Sequence, residues 1–261
     1  MTFIIPQEQA NDVSHVGGKA ASLATLAAQG FAPPRFFVIR PEAFRQGKSG
    51  PVAATGLASQ LKSAVRGLGN GPFAVRSSGR AEDGADHSHA GQFDTVLDVA
   101  AADVMAAAKR VWASGFSETV ETYRAVKTGG EAEAPAIVVQ QMIAARVSGV
   151  AFSADPVSGL RDRTVIAAIE GLGDRLVSGE EDGLTWILDT DGQVHESPAD
   201  PDMLSESELS QIAKLVRRAE TAFGGPQDIE WAIDTDGLHI LQSRPITTPL
   251  KPKITPDNTL N

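Results

Sequence analysis

Apolar residues recur at helical spacing late in the chain: Leu209, Ile212, Leu215, Val216, Ala219 and Phe223 share one helix face. Ser205 and Glu208 precede them at the spacing of a capping box, and Gly224, Gly225 and Pro226 end the run. An Ala-rich helix is expected from about Lys19 to Gln29, entered through Gly17 and Gly18 and ended by Gly30. Further helices are expected over Leu57–Leu68, from Asp103 through Trp112, and from a Ser117 cap to about Lys127. Apolar runs predict strands at Arg35–Ile39, Phe73–Arg76, Ala136–Ile143, Gly149–Ser153, Thr164–Ile169 and Thr185–Asp189, with a hairpin turn at Asp191-Gly192. A last hairpin joins Ile229–Ile233 to Leu238–Gln242 through Asp236-Gly237.

Between these elements, Gln46–Gly56 reads as a loop and Thr128–Ala134 as a solvated connector. Ser77–Gln92 is a polar segment long enough to suggest function. No repeat of solenoid type is present. Strands and helices mix without regular βαβ alternation, so the expected class is α+β. Two lobes are expected, over residues 1–143 and 144–247, with 248–261 as linker or disordered tail.

Composition narrows the function classes. The 261 residues carry 23 Lys and Arg against 33 Asp and Glu, a formal charge of −10. Without a basic excess or stripe, nucleic acid is not an expected partner. An anionic ligand would then need individually placed cations. There are no cysteines, so disulfides, thiolate metal sites and Cys nucleophiles are excluded. No run reaches the roughly 18 apolar residues of a membrane helix, and the N-terminus does not read as a signal peptide. The expected location is the cytoplasm, with no membrane partner.

Four segments carry candidate chemistry. Gly17-Gly18-Lys19 lies at a predicted helix start, where glycines admit close approach, free N–H groups favour an anion, and Lys19 adds a mobile charge. Arg76 ends a short strand before Ser77 and Ser78, and a two-pronged guanidinium there suits phosphate. A plain loop and a solvated turn are the competing readings. In the last hairpin, a three-residue loop would set Glu230 opposite Gln242 and Asp228 opposite Arg244, all on one face. Such oxygen ligands suit Mg²⁺ held jointly with nucleotide phosphates. A two-residue loop destroys that pairing, and a solvent-facing polar strand is the alternative. Last, backbone groups at Gln140, Gln141 and Met142 would meet an adenine edge, with Met142 on the ring, or else the segment is a strand end packed into the core. His87 and His89, and Ser14-His15, are weighed as phosphoryl acceptors or metal ligands, but no further ligand cluster accompanies them. His195 and His239 read as structural.

In order along the chain, these segments resemble the N-terminal nucleotide-binding domain of the phosphoenolpyruvate synthase and pyruvate phosphate dikinase family, and the similar domain of rifampin phosphotransferase. The matching text is Gly17–Leu23, Ala74–Ser78 with Ala81–Asp83, Ala90–Gln92, Asp94-Thr95, Gly149–Gly159, Gly171–Gly173, Pro226–Ala232 and Ile240–Pro245. The resemblance spans almost everything up to about Thr247. It implies an ATP-grasp fold, two lobes with the nucleotide between them. It implies that Lys19 and Arg76 bind phosphates and that Arg244 assists transfer. It further implies that Glu230 and Gln242 hold Mg²⁺ with Asp228 close by, and that Arg124 is another phosphate-side cation. Gln140 and Met142 would meet adenine, and Gly91, Gln92, Asp94 and Thr95 would lie over the phosphates. Phosphoryl transfer needs positioning and charge neutralisation above all, which agrees with these residue types.

The chain departs from the family at Glu170, where an aromatic or Pro is common, at Asp174 for Glu, and at His89 for Phe. The segment between Arg40 and Phe73 is short for the family. The family's swivelling domain bears a histidine in a Gly-Gly-x-x-Thr/Ser-His setting. Here Ser14-His15 precede Gly17-Gly18, the wrong order. The expectation is an enzyme of the phosphotransferase type that uses Mg-ATP to phosphorylate a histidine on a separate domain or subunit, giving AMP and phosphate. A swivelling phosphohistidine partner and an acceptor-binding subunit are expected with it. A free-standing small-molecule kinase and a non-catalytic nucleotide-sensing module are the competing expectations. Retention of Glu230, Gln242 and Arg244 together argues against the last.

Overall fold

The structure is a computed structural model that describes residues 1–47, 50–79, 95–126 and 134–251, with 116–126 given by backbone alone. The chain divides into two compact units, one over Met1–Ile143 and one beginning at Ala144. Among the described residues, no helix is long and apolar enough to cross a membrane.

The first unit contains β1 (Ile4–Pro6), α1 (Val13–Ala28), β2 (Phe36–Ile39), β3 (Phe44–Gly47), β4 (Gly50–Ala53), α2 (Leu57–Leu68), β5 (Phe73–Ser78), β6 (Thr95–Val99), α3 (Val104–Val126) and β7 (Ala136–Gln141). Five strands form an antiparallel sheet in the order β1-β2-β7-β5-β6. Phe37, Ile39, Phe73, Val75, Ile137 and Val139 share one core with α2 and α3. The alternate residues Phe36, Val38 and Val138 are equally buried, and α1 packs on β2, β5 and β7. Burial of both faces explains why these strands read as continuous apolar runs.

Three expectations change here. The segment expected as a loop at Gln46–Gly56 carries the hairpin β3–β4, pinned by Phe44 opposite Ala53. Phe44 is buried against Trp112, with ring centroids 6.1 Å apart. Ser117 does not cap a second helix, because α3 runs unbroken from Val104 to Val126. Gly115 costs only about 1 kcal/mol in a helix interior, and a side chain there would meet Pro135, since an added Cβ comes within 2.6 Å of the Pro135 ring. The first long helix begins at Val13, not near Lys19, with Asp12 as its cap, and it is kinked at Gly17.

The second unit holds β8 (Val147–Phe152), β9 (Arg163–Glu170), α4 (Asp174–Val177), β10 (Leu184–Asp189), β11 (Val194–Glu196), α5 (Glu206–Phe223), β12 (Gln227–Ile233) and β13 (Leu238–Pro245). Its six strands run antiparallel in the order β11-β10-β9-β8-β12-β13. The class is α+β, as expected from the pattern. The helix α5 packs on β8, β9, β12 and β13, burying Leu209, Ile212, Ala213, Val216 and Ala219.

Both ends of α5 follow the sequence signals. Ser205 Oγ accepts from the Glu208 N–H at 3.3 Å, and the Ser205 N–H donates to Glu208 Oε2 at 2.8 Å. Gly224 closes the helix in the left-handed region at φ 73°. Burial pushes the Glu208 carboxyl up, but the Ser205 N–H and hydroxyl and the Arg146 guanidinium outweigh it and hold the group below its usual value. Ser205→Ala is expected to lower unfolding stability by about 1 kcal/mol, read from urea denaturation. Because the folded carboxyl is depressed, its contribution is full above pH 4.5, the ordinary Glu value, and is lost as pH falls through the folded value. The stability gap between the wild type and Glu208→Gln should therefore close on acidification below that point.

Candidate functional site

Two groups of predicted site residues are assembled, one within each unit. In the first, α1 breaks where Gly17 adopts φ 77°. A side chain there has no room: an added Cβ would lie 2.1 Å from the Ser78 carbonyl oxygen. The two elements interlock around this contact. The Gly18 N–H donates to Gly79 O at 2.9 Å, and the Ala20 N–H donates to Ser78 Oγ at 3.1 Å. Lys19 is buried, and its Nζ donates to Ser77 O at 3.0 Å. Two N–H groups expected to be free for an anion at this helix start are thus committed to the end of β5.

Lys19 is thereby fixed to the strand that carries Arg76. Arg76 and Ser78 lie on one face of β5 by alternation, and Arg76 is opposite Thr95, the exposed first residue of β6. Gly91, Gln92 and Asp94 lie outside the described residues, as do His87 and His89. Arg124 sits in the last turns of α3, where only the backbone is described. The contribution of Ser78 was missed from sequence. The signal available was the Gly17 position itself, since a glycine demanded by a positive φ often marks close backbone approach.

The segment expected to meet adenine is also committed in part. Gln140 is buried, paired with Phe36 and Ala74, and its amide Nε2 donates to Pro34 O at 3.4 Å. The Gln141 and Met142 N–H groups donate to Arg35 O at 2.9 Å and Pro72 O at 3.1 Å. The Met142 sulfur accepts from the Asp98 N–H at 2.9 Å.

His15 is held by the helix cap, with Nδ1 2.8 Å from Asp12 Oδ2. Hydrogen bonds from the Ser14 hydroxyl and then from His15 bring the Asp12 carboxyl down to about 2. His239 Nε2 is bound to Asp234 Oδ1 at 2.9 Å in the last turn, in keeping with a structural role.

In the second unit, the hairpin β12–β13 sets Asp228 opposite Arg244 and Glu230 opposite Gln242. Neither of the two loop lengths weighed from the sequence produces this pairing. The connection is not a three-residue loop: Ile233 pairs with Leu238, so Asp234–Gly237 make the turn. Asp234 Oδ1 accepts the N–H groups of Asp236 and Gly237 at 2.8 and 3.1 Å. Continued in that register, Leu241 would face Glu230 and Ser243 would face Asp228. A β-bulge between Glu230 and Trp231 leaves Leu241 as the extra residue of β13 and shifts the register by one. Gln242 and Arg244 thereby come to the face of the two acids. Ile229 and Trp231 alternate with these acids and are fully buried.

Arg244 Nε donates to Asp228 Oδ2 at 2.7 Å. Burial pushes the Asp228 carboxyl up, Arg244 pulls it back, and Glu230 adds to the upward push, with a net shift upward. Among the described residues, the buried oxygens Asp228 Oδ1 and Gln242 Oε1 have no hydrogen-bond partner. The carboxylates of Asp228 and Glu230 and the amide oxygen of Gln242, a set that includes both orphaned acceptors, fit a hard cation such as Mg²⁺. Among the described residues, no three His, Cys, Asp or Glu side chains cluster as a self-contained metal cage.

Residues 48–194 and 184–258 match the family described as "Pyruvate phosphate dikinase, AMP/ATP-binding domain". The chain is 38% identical to a rifampicin phosphotransferase from Streptomyces sp. over 76% of its length and 26% of that protein. It is 33% identical to the prodigiosin synthesizing transferase PigC of Serratia marcescens, over 91% of this chain and 32% of that one. A probable phosphoenolpyruvate synthase of Archaeoglobus fulgidus is 30% identical over 93% of this chain and 41% of the relative. The chain thus spans between 26% and 41% of the length of these relatives. The solved N5-carboxyaminoimidazole synthase from Aspergillus clavatus, in complex with ADP, is similar over 92% of this chain and 46% of that one, with a TM-score of 0.47 and 11% identity, a likeness too distant to argue from.

The interlock at Gly17 predicts a strong position dependence for alanine. Gly17→Ala should cost at least about 1–3 kcal/mol from the left-handed backbone alone, with more from the clash at Ser78. Gly224→Ala meets open space and should cost only about 1–2 kcal/mol. Urea midpoints of the two variants check this ordering.

Proposed function

This chain belongs to the pyruvate phosphate dikinase AMP/ATP-binding domain family, and on that premise we propose that it binds Mg-ATP and phosphorylates a histidine on a separate domain or subunit. ATP, water and the histidine would give AMP, phosphate and phosphohistidine. The reading includes an ATP-grasp fold; the candidate phosphate ligands lie in the first unit and the candidate metal ligands in the second. The observation that carries it is the register of the last hairpin, which gathers Asp228, Glu230, Gln242 and Arg244 on one face.

Each residue has a role in this reading. Lys19 and Arg76 hold phosphate oxygens, and the interlock with β5 supports them by fixing both to one strand. Arg124, with Gly91, Gln92, Asp94 and Thr95, completes the phosphate environment. Gln140 and Met142 form the adenine side. Glu230 and Gln242 would hold Mg²⁺, with Asp228 close by. When bound, the ion would neutralise phosphate charge that the neighbouring carboxylates would otherwise repel. Arg244, oriented through its Nε by Asp228, offers its guanidinium to the phosphoryl group in transit. The protein's part is positioning and charge neutralisation, and no side-chain nucleophile of its own is required.

A swivelling phosphohistidine partner and an acceptor-binding partner belong to this reading; the relatives are longer chains than this one and have room for further domains. The test mixes the chain with a histidine-bearing carrier and radiolabelled ATP. Label is expected on the carrier histidine, with AMP released. Arg244→Ala should lower the transfer rate by about 10²–10³-fold while ATP affinity changes little. Bound ATP with no labelled histidine contradicts the carrier reading. Turnover of a small molecule by the chain alone would support the free-standing kinase. Transfer unchanged in Arg244→Ala would leave only a nucleotide-binding module.

A further inference from the structure

Three polar residues from three separate matching segments take no part in the proposed phosphate and metal set: Ser153, Gln227 and Ser243. All are buried, at 0%, 2% and 1% exposure, which makes each hydrogen bond among them consequential. They converge on one network. The Gln227 N–H donates to Ser153 Oγ at 2.9 Å, and the Ser153 N–H donates to Gln227 O at 2.9 Å. Gln227 Nε2 donates to Gly225 O and Pro226 O, both at 3.2 Å, tying the start of β12 to the turn that ends α5. The remaining atom of that amide, Oε1, accepts from Ser243 Oγ at 2.8 Å.

We propose that Ser243 and Gln227 are positioning residues that pin the register of the bulged edge strand β13 and so hold Arg244 and Gln242 on the reactive face; the proposal rests on the phosphotransfer reading of that face. The need for a pin follows from the topology. β13 is paired on one side only, as the last strand of its sheet. The bulge at Leu241 separates two registers that differ by one residue. Moving the bulge outward to the end of the strand would extend the turn-side register along all of β13. Ser243 would then face Asp228, Leu241 would face Glu230, and Arg244 and Gln242 would turn to the opposite side. In the observed register the Ile246 N–H donates to Pro226 O at 3.0 Å, a bond that Pro245, lacking an N–H, could not replace after a slip; side chains supply the rest of the selection between the registers.

The Ser243–Gln227 bond makes that selection. Ser243 lies opposite Ile229, and Gln227 lies two residues along on the same face, a diagonal neighbour within reach. This face is the reverse of the one carrying Asp228 and Arg244. A one-residue slip carries Ser243 to the other face and breaks the bond, leaving Gln227 Oε1 buried without its donor. Gln227 is a fixed reference because its backbone and amide are anchored to β8 and to the turn after α5. The Arg244–Asp228 pair clamps the same stretch from the front. Strand β13 is thus held from both faces, beyond its bulge, by the two side chains that a slip would displace.

The test uses the full chain with its carrier and compares Ser243→Ala, Ser243→Thr and Gln227→Met. Two readouts are taken: amide hydrogen exchange over residues 238–245, and the KM for ATP against kcat for carrier labelling. For Ser243→Ala and Gln227→Met, exchange should accelerate in β13 and stay at the wild-type level in β8 and β9. The value of kcat should fall by about tenfold or more, since small misplacements of a catalytic group cost up to about a hundredfold, with KM changed less than about threefold. Ser243→Thr should restore both readouts, and the double variant should be no worse than either single one. Wild-type exchange and kcat in Ser243→Ala would overturn the proposal. Equal loss across the whole sheet, unrescued by Thr, would also overturn it, showing only general packing. If the wild-type chain labels no carrier, the phosphotransfer reading fails, while the exchange pattern still decides whether Ser243 pins the strand.

Discussion

Strand register on the last hairpin is the constraint from which the candidate chemistry follows. Side chains alternate across a sheet with a period of two, so one residue of offset decides whether β13 presents Gln242 and Arg244 or Leu241 and Ser243 to the acids of β12. The acid-bearing face is expensive to build. Asp228 is buried beside Glu230, and burial alone pushes its carboxyl towards the neutral form. Arg244 offsets part of that cost through a charge-assisted hydrogen bond at 2.7 Å. Among the described residues, the buried acceptors Asp228 Oδ1 and Gln242 Oε1 meet no donor. A face with unspent acceptors and clustered negative charge suits a divalent cation shared with phosphates.

The first unit meets a different demand by close packing. Lys19 on α1 is tied to β5, the strand that carries Arg76, although the two belong to separate elements. The kink at Gly17 lets α1 approach the end of β5 so closely that a methyl group has no space. Ser77 and Ser78 then receive the Lys19 ammonium and the Ala20 N–H. Gly17 serves close backbone packing here, and the Gly18 and Ala20 amides are committed to the end of β5 and the residue after it. Phosphate recognition in this unit would accordingly rest on side-chain cations fixed by that packing.

Much of this was legible in the sequence, for identifiable reasons. The capping box of Ser205 and Glu208 and the Gly224 stop are local signals, and α5 follows them closely. The α+β class followed from the mix of periods along the chain. Signals that depend on tertiary contacts misled. Ser117 resembles a cap only until α3 is seen to continue through it. The hairpin β3–β4 is held by Phe44 against Trp112, a contact distant in sequence. At the site, the facing of Glu230 and Gln242 was expected from a loop length that does not occur. The bulge at Leu241 supplies the same outcome, and no residue type in that strand announces a bulge. Ordered motifs shared with a family identified the family, which local turn rules could not.

The central claim is that the face of β12 and β13 binds a metal–nucleotide complex through the Gln242 amide oxygen and its acidic neighbours. Paramagnetic relaxation tests it most directly, with Mn²⁺ replacing Mg²⁺ and the side-chain amide of Gln242 observed by nitrogen NMR. The account predicts that Mn-ATP selectively broadens the Gln242 amide signal, and that the same ion without nucleotide does so far less. Broadening confined to other glutamines, or an unaffected Gln242 at saturating Mn-ATP, would contradict it.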